Sequence, residues 1–211
     1  MTLHERFGKL PLEEVMAPAI RYAEKGYPVT PNISRLWQEA FENYSKYRDR
    51  PEFQGWFDTF APNNTWLKPG EMFRCPDMAK TLKEIAATKG EAFYRGAIAE
   101  KIDAFFKKHN GFLTKEDLAA FKPEWVDPIS VNYHGVDVWE LPPNGHGITV
   151  LMALQILKDM NLAERDCADT MHKQIEAMKL AMVDTAEYVA EPSFMRVSVD
   201  QLLSEDYAAK R

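Results

Sequence analysis

Thr2 offers the most reactive arrangement that a chain terminus can hold. Removal of Met1 would set a threonine hydroxyl beside a free amine, nucleophile and base in one residue, and the chain would then be an intact Thr2-dependent amidase. The plainer reading of residues 2–6 is a polar, frayed lead-in to the first helix, because termini are mobile unless tied down. His146 stands between Gly145 and Gly147 where a strand passes into a helix, a place where backbone N–H groups can face an anion. Against that stands an ordinary turn with a solvent-facing imidazole. His134, in a hairpin turn, and His172, near a helix start, have no acid or nucleophile at a recognisable spacing. Glu176, Asp184, Glu187 and Glu191 decorate one helix and its end. Asp184 and Glu187, at i and i+3, could share a face toward a cation or an arginine, with a solvated or salt-bridged face as the competing reading. Arg95 could hold a carboxylate or form a structural ion pair. Cys75 and Cys167 lie far apart with no CxxC or Cys/His spacing, which implies two free, partly buried thiols and neither a disulfide framework nor a zinc site. None of these makes a site alone. The sequence therefore assigns no catalytic, substrate-binding or metal-ligating residue, and no cofactor.

Bulk properties narrow the class. With 45% apolar and 27% charged residues, the 211-residue chain has the composition of a globular protein, long enough for one core or for a segment of something larger. A net charge of -6 argues against a nucleic-acid footprint, which needs clustered Lys and Arg. The densest basic stretch, Lys107 to His109, complements the dipole at a helix end. No run approaches the ~18 apolar residues of a membrane span, and the apolar stretch 148–157 reads as a buried helix. The first residues lack the apolar core of a secretion signal, which leaves the parent's compartment open, cytoplasmic or exported.

The elements that must position any site are mostly helical. Pro11 opens a first helix with Leu12, Val15, Ala19, Ile20 and Ala23 on one stripe and Gly26 as its stop. Thr30 caps a second with Ile33, Leu36, Trp37, Ala40, Phe41 and Tyr44 inward. Residues 51–75 are aromatic and turn-rich, a short helical piece and then an ordered loop, and so many rings bury against neighbours more readily than they bind a ligand. A third helix runs from Pro76 to Gly90 with Met78, Leu82, Ile85 and Ala86 inward. After a turn at 90–96, a fourth covers 97–108 with Ile98, Ile102, Phe105 and Phe106 inward. Thr114 and Asp117 form a capping box for a short helix through Phe121. From residue 124 the period changes to two: Ile129, Val131 and Tyr133, then Val136 and Val138, with His134 and Gly135 between, predict a hairpin. Helices follow at 148–160, 171–189 and 201–209. A lone two-stranded hairpin is marginal, so it reads as part of a larger sheet completed by strands from elsewhere.

The order of these segments carries a resemblance. Residues 7–30 (FGKLPLEEVMAPAIRYAEKGYPVT), 68–86 (KPGEMFRCPDMAKTLKEIA), 91–102 (EAFYRGAIAEKI), 111–121 (GFLTKEDLAAF), 128–148 (PISVNYHGVDVWELPPNGHGI) and 176–194 (EAMKLAMVDTAEYVAEPSF) resemble, in order, the large-subunit segment of the gamma-glutamyltransferase family. Three departures stand out. The family's P-P-P-S-S-G-G loop is here Leu141-Pro142-Pro143-Asn144-Gly145-His146-Gly147, and its D-P pair is Glu191-Pro192. Its D-R pair is Asp184-Thr185, from which the loss of an arginine contact is expected.

The resemblance implies an N-terminal nucleophile hydrolase: two stacked antiparallel sheets between helical layers, in a precursor that cleaves itself before a threonine. That threonine then attacks a gamma-glutamyl or related acyl amide and passes the acyl group to water or an amine. The family's T-T-H motif bearing the nucleophile lies downstream of the matched segment, and the arginine for the substrate carboxylate lies upstream. No catalytic residue is carried over, and the chain alone is expected to be inactive. The expected fold class is α+β, a mostly helical fragment with one β-hairpin: 1–123 helical, 124–143 the hairpin, 144–211 the closing helices. Its partners would be the remainder of the same precursor and a small acyl amide substrate, with self-association through exposed sheet surface as a further expectation. The alternative is a non-catalytic helical binding module on the same scaffold, using the aromatic 51–66 segment.

Overall fold

The computed structural model describes residues 1–162 and 164–211, in two compact units, Met1–Pro123 and Glu124–Arg211.

The first unit is helical. Residues 2–6, expected to fray, form α1 (Thr2–Phe7), its first helical hydrogen bond running from the Glu5 N–H to the Met1 carbonyl at 2.8 Å. After Pro11, α2 (Leu12–Lys25) continues through Pro18 and stops at Gly26. Gly26 has φ +85°, and a Cβ there would meet the Phe73 carbonyl oxygen at 2.6 Å. That close approach lets β1 (Tyr27–Pro28) pair antiparallel, after α3 (Pro31–Tyr44) and α4 (Gln54–Phe60), with β2 (Met72–Phe73). This two-residue ladder was absent from the sequence reading, which saw a turn and a loop. The Thr30 side chain caps α3, as its position before Pro31 predicts. The aromatics of 51–73 turn inward as expected. Trp37 meets Phe73 edge-on at 4.9 Å, Phe60 stacks on Phe73 at 5.7 Å, and Trp56 packs on Tyr44 at 4.7 Å.

The helix α5 (Pro76–Ala87) packs along α2, with Lys83 paired to Glu24. Gly90, left-handed at φ +85°, separates it from α6 (Glu91–Tyr94), one helical turn where a plain turn was expected. Next come α7 (Ala97–Lys108) and α8 (Lys115–Ala120), the latter opened by the predicted capping box of Thr114 and Asp117. Asp103, only 7% exposed, ties the two together: one oxygen takes the Lys107 ammonium at 2.7 Å, the other the Lys115 N–H at 3.2 Å. The apolar stripes are only partly covered within this unit. Val15, Ile33, Leu36, Met78 and Phe105, read as inward, remain exposed.

The second unit opens with the predicted hairpin, β3 (Ile129–Tyr133) and β4 (Val136–Glu140), Val131 paired with Val138. His134 and Gly135 both have positive φ, 51° and 86°, the backbone that a two-residue hairpin turn requires. The Asn132 carbonyl oxygen receives the Gly135 N–H at 3.1 Å and its amide donates to Asp137 at 2.7 Å. Among the described residues this sheet has two strands. Against it lies α9 (Gly147–Leu157), apolar on every side and therefore buried: Ile148, Leu151, Met152, Ala153, Ile156 and Leu157 are all at most 9% exposed. Its partner is α10 (Ala168–Tyr188), which presents Ala177 and Ala181 at the contact, 1% and 0% exposed. The single helix expected at 201–209 is two, α11 (Val199–Leu202) and α12 (Glu205–Ala208). Ser204 causes the break, because its hydroxyl accepts the Tyr207 N–H and so caps a new start. Leu202, 1% exposed, closes the core of Ile148, Met152, Ala153 and Ala181.

Two outcomes follow. Leu202→Ala should lower the unfolding free energy by about 2–5 kcal/mol, read from urea denaturation, since α9 and α10 cannot collapse onto the vacated volume. The hydrogen bond from Lys107, then that from the Lys115 N–H, holds the Asp103 carboxyl below its ordinary 3.8. Its stabilising contribution is thus complete above that value and lost as pH falls through the depressed one. Asp103→Asn should narrow the gap between thermal midpoints at neutral pH and at about pH 3, relative to wild type; an unchanged gap would refute the link.

Candidate functional site

The strand-to-helix junction from Leu141 to His146 is where the sequence concentrates its variation, and it leads directly into the buried helix α9. His146 sits at the N-cap position with an exposed imidazole, its carbonyl receiving the Thr149 N–H at 3.0 Å. The anion that this helix start can face comes from the chain itself. The Glu140 carboxylate lies so close to Gly147 that a Cβ there would be 2.5 Å from its Oε2. A carboxylate beside a helix N-terminus is favourable, and it occupies the place an incoming anion would take.

Behind His146 a groove of about 450 Å³ runs between α9 and α10, lined by Thr149, Met178, Met182, Thr185 and Val189. Its two buried hydroxyls satisfy each other: Thr149 and Thr185 are 2.7 Å apart, and Thr185 also donates to the Ala181 carbonyl at 2.8 Å. The Asp184 side chain is 5% exposed and receives Arg211 at 3.0 Å on Oδ1, while its buried Oδ2 has no hydrogen-bond partner. Burial first, and then the neighbouring Asp184 carboxylate, push the Tyr207 hydroxyl above its ordinary value. The arginine contact expected to be lost at the D-R position is therefore present, supplied by Arg211 from the C-terminal end of α12. Glu187 is exposed while Asp184 is buried, so the two do not share a face.

The remaining candidates are structural in their surroundings. Thr2 lies in the first turn of α1, in a cleft of about 370 Å³ with Lys89, Glu91, Tyr94 and Arg95. Exposing its amine would remove the Met1 carbonyl that starts the helix. Arg95 grips Glu91 through two hydrogen bonds, 2.7 and 2.6 Å, and donates to the Ala119 carbonyl at 3.2 Å. That is the ion-pair reading, and the arginine's bond holds the Glu91 carboxyl below its ordinary value. Glu176 pairs with Lys179 at 2.7 Å and Glu191 accepts the Ser193 N–H at 3.0 Å. His134 and His172 are exposed. Both cysteines are free and half-buried. Cys167 caps α10, and hydrogen bonds with the Thr170 hydroxyl and N–H hold its thiol below the ordinary cysteine value. Among the described residues, no three His, Cys, Asp or Glu side chains gather as a metal ion would need, and no helix is long and apolar enough to cross a membrane. Glu140, Thr149, Tyr207 and Arg211 carried no motif that would have marked them.

With this geometry in view, the chain was compared with known proteins. It matches the family model described as gamma-glutamyltranspeptidase over residues 1–211. It is 32% identical to a glutathione hydrolase proenzyme of Pseudomonas aeruginosa, over 99% of the chain and 36% of that relative, and 32% identical to an acylase ACY 1 proenzyme of a Pseudomonas species, over 98% and 36%. Among solved structures, cephalosporin acylase from Bacillus halodurans superposes with a TM-score of 0.94 at 53% identity, over 99% of this chain and 39% of that one. Gamma-glutamyltranspeptidase from Helicobacter pylori gives 0.85 at 29% identity, over 99% and 59%. The chain thus spans little more than a third of the length of the curated relatives it matches, and over all of its own length it belongs to the gamma-glutamyltranspeptidase family.

Proposed function

We propose that this chain is an internal segment of the large subunit of a self-cleaving precursor whose threonine, located downstream, cleaves a gamma-glutamyl or related acyl amide. The observation that carries this reading is a match over the whole chain that covers only 36% of a relative named as a proenzyme. In the reaction, the threonine hydroxyl adds to the amide carbonyl, its own amine taking the proton. The C–N bond breaks as the amine leaves protonated, and water or an acceptor amine then releases the acyl group. This segment supplies scaffold: the hairpin carries two of the central sheet's strands, and α9 and α10 form part of a helical layer upon it. The remainder of the precursor is its partner. That role accounts for the exposed Val15, Leu36, Met78, Val136 and Trp139, apolar surface that an isolated chain would leave in water, where it would favour self-association.

The donor is an acyl amide, with glutaryl compounds beside gamma-glutamyl ones, since the relatives named as acylases and as glutathione hydrolases are equally similar in sequence. The test is turnover of a gamma-glutamyl anilide and a glutaryl anilide by the full-length precursor and by residues 1–211 alone. Full-length protein should release aniline from at least one, and the 211-residue chain from neither. Turnover by the short chain, or none by the full-length protein, would sink the reading.

A further inference from the structure

The segment 198–211 is held onto α9 and α10 by three polar ties of unequal kind. Gln155 donates to the Leu203 carbonyl at 2.7 Å, Lys158 pairs with Glu205, and Arg211 pairs with Asp184. The Glu205 side chain is 75% exposed, so its pair contributes little. Asp184 is different: it is 4% exposed, it has one charged partner, and its second oxygen is buried without a hydrogen bond. A half-satisfied buried carboxylate is a poor stabiliser, because an apolar side chain of similar size commonly does as well or better. What it does provide is direction. Only a donor arriving from the end of α12 can serve Oδ1, and Arg211, 30% exposed, reaches it along the path by which the chain leaves the helix. Tyr207, one turn earlier, packs beside the same carboxylate.

We infer that Asp184 is a positioning residue which, through Arg211, fixes the course of the chain leaving α12 and thereby sets the rate at which the precursor cleaves itself. The inference rests on the reading above, in which the chain continues toward a self-cleaving threonine. The experiment follows conversion of freshly made full-length precursor into subunits on denaturing gels, together with its thermal midpoint. Asp184→Leu should keep or raise the midpoint yet slow conversion about tenfold or more, since misdirecting a reacting segment costs rate without costing stability. Arg211→Lys, which keeps a cation in reach, should retain most of the rate. If Asp184→Leu fails to fold, Asp184→Asn, nearly identical in shape, carries the same expectation. Conversion at the wild-type rate in folded Asp184 variants would overturn the proposal, as would a rate that merely tracks the thermal midpoint. A wild-type precursor that never cleaves would instead overturn the proposed function itself.

Discussion

The second unit depends on the burial of one helix. Eleven residues are too few for a stable helix in water, so α9 exists because its whole circumference is covered. Ile148 and Leu151 are 0% exposed, and each such side chain is worth roughly 1.5–3 kcal/mol of apolar burial. The hairpin covers one side and α10 the other. At the second contact α10 offers alanines, Ala177 and Ala181, whose small side chains let the two helices approach closely. Leu202 then seals the end of the same core, so the fragmentary C-terminal helices, each a single turn, hold their places through α9 and α10 and not through their own hydrogen bonds.

The first unit is held differently. Its core is distributed over ring contacts, Trp37 with Phe60 and Phe73 and Tyr44 with Trp56, each adding about 0.5–1.5 kcal/mol beyond the area it buries. Local devices set the boundaries: Thr30 and Thr114 cap helices, and Asp103 joins α7 to α8. Covered on only part of their surfaces, these helices keep several large apolar side chains exposed, and none of the α2 residues is fully buried. Such a unit is organised by its ends and its rings more than by a central helix.

How much of this could be read from sequence follows from which signals are local. Caps, stops and turns were legible because their chemistry lies within four residues. Thr114 with Asp117, Gly26, and the positive-φ pair His134 and Gly135 all do in the structure what their types predict. The apolar all-round stretch 148–157 likewise announced its burial. Non-local facts were not legible. The Tyr27–Pro28 pairing with Met72–Phe73 joins segments some 45 residues apart through two-residue strands, too short for any period to show. The stripes on α2 and α3 showed which faces are apolar but not what covers them, so Val15 and Leu36 were placed inward and lie exposed. The pairing of Asp184 with Arg211 also escaped notice, because an arginine was sought beside the aspartate and came from 27 positions on.

The polar interior of the second unit shows why chemistry was hard to find among its residues. Thr149 and Thr185 consume each other's hydrogen-bonding capacity, and Glu140 fills the anion position at the start of α9, so the junction that resembles a binding loop has its polar groups engaged from within. A catalytic group needs the opposite, a polar atom left poised toward a ligand. The one buried atom here without a partner, Asp184 Oδ2, is enclosed by protein and turned away from any path for a substrate. Polar groups so engaged fix the geometry of a scaffold, and in a scaffold the demanding constraint is where each segment leaves it. The placement of Arg211 against a buried carboxylate answers that constraint at the point where the described chain departs from its core.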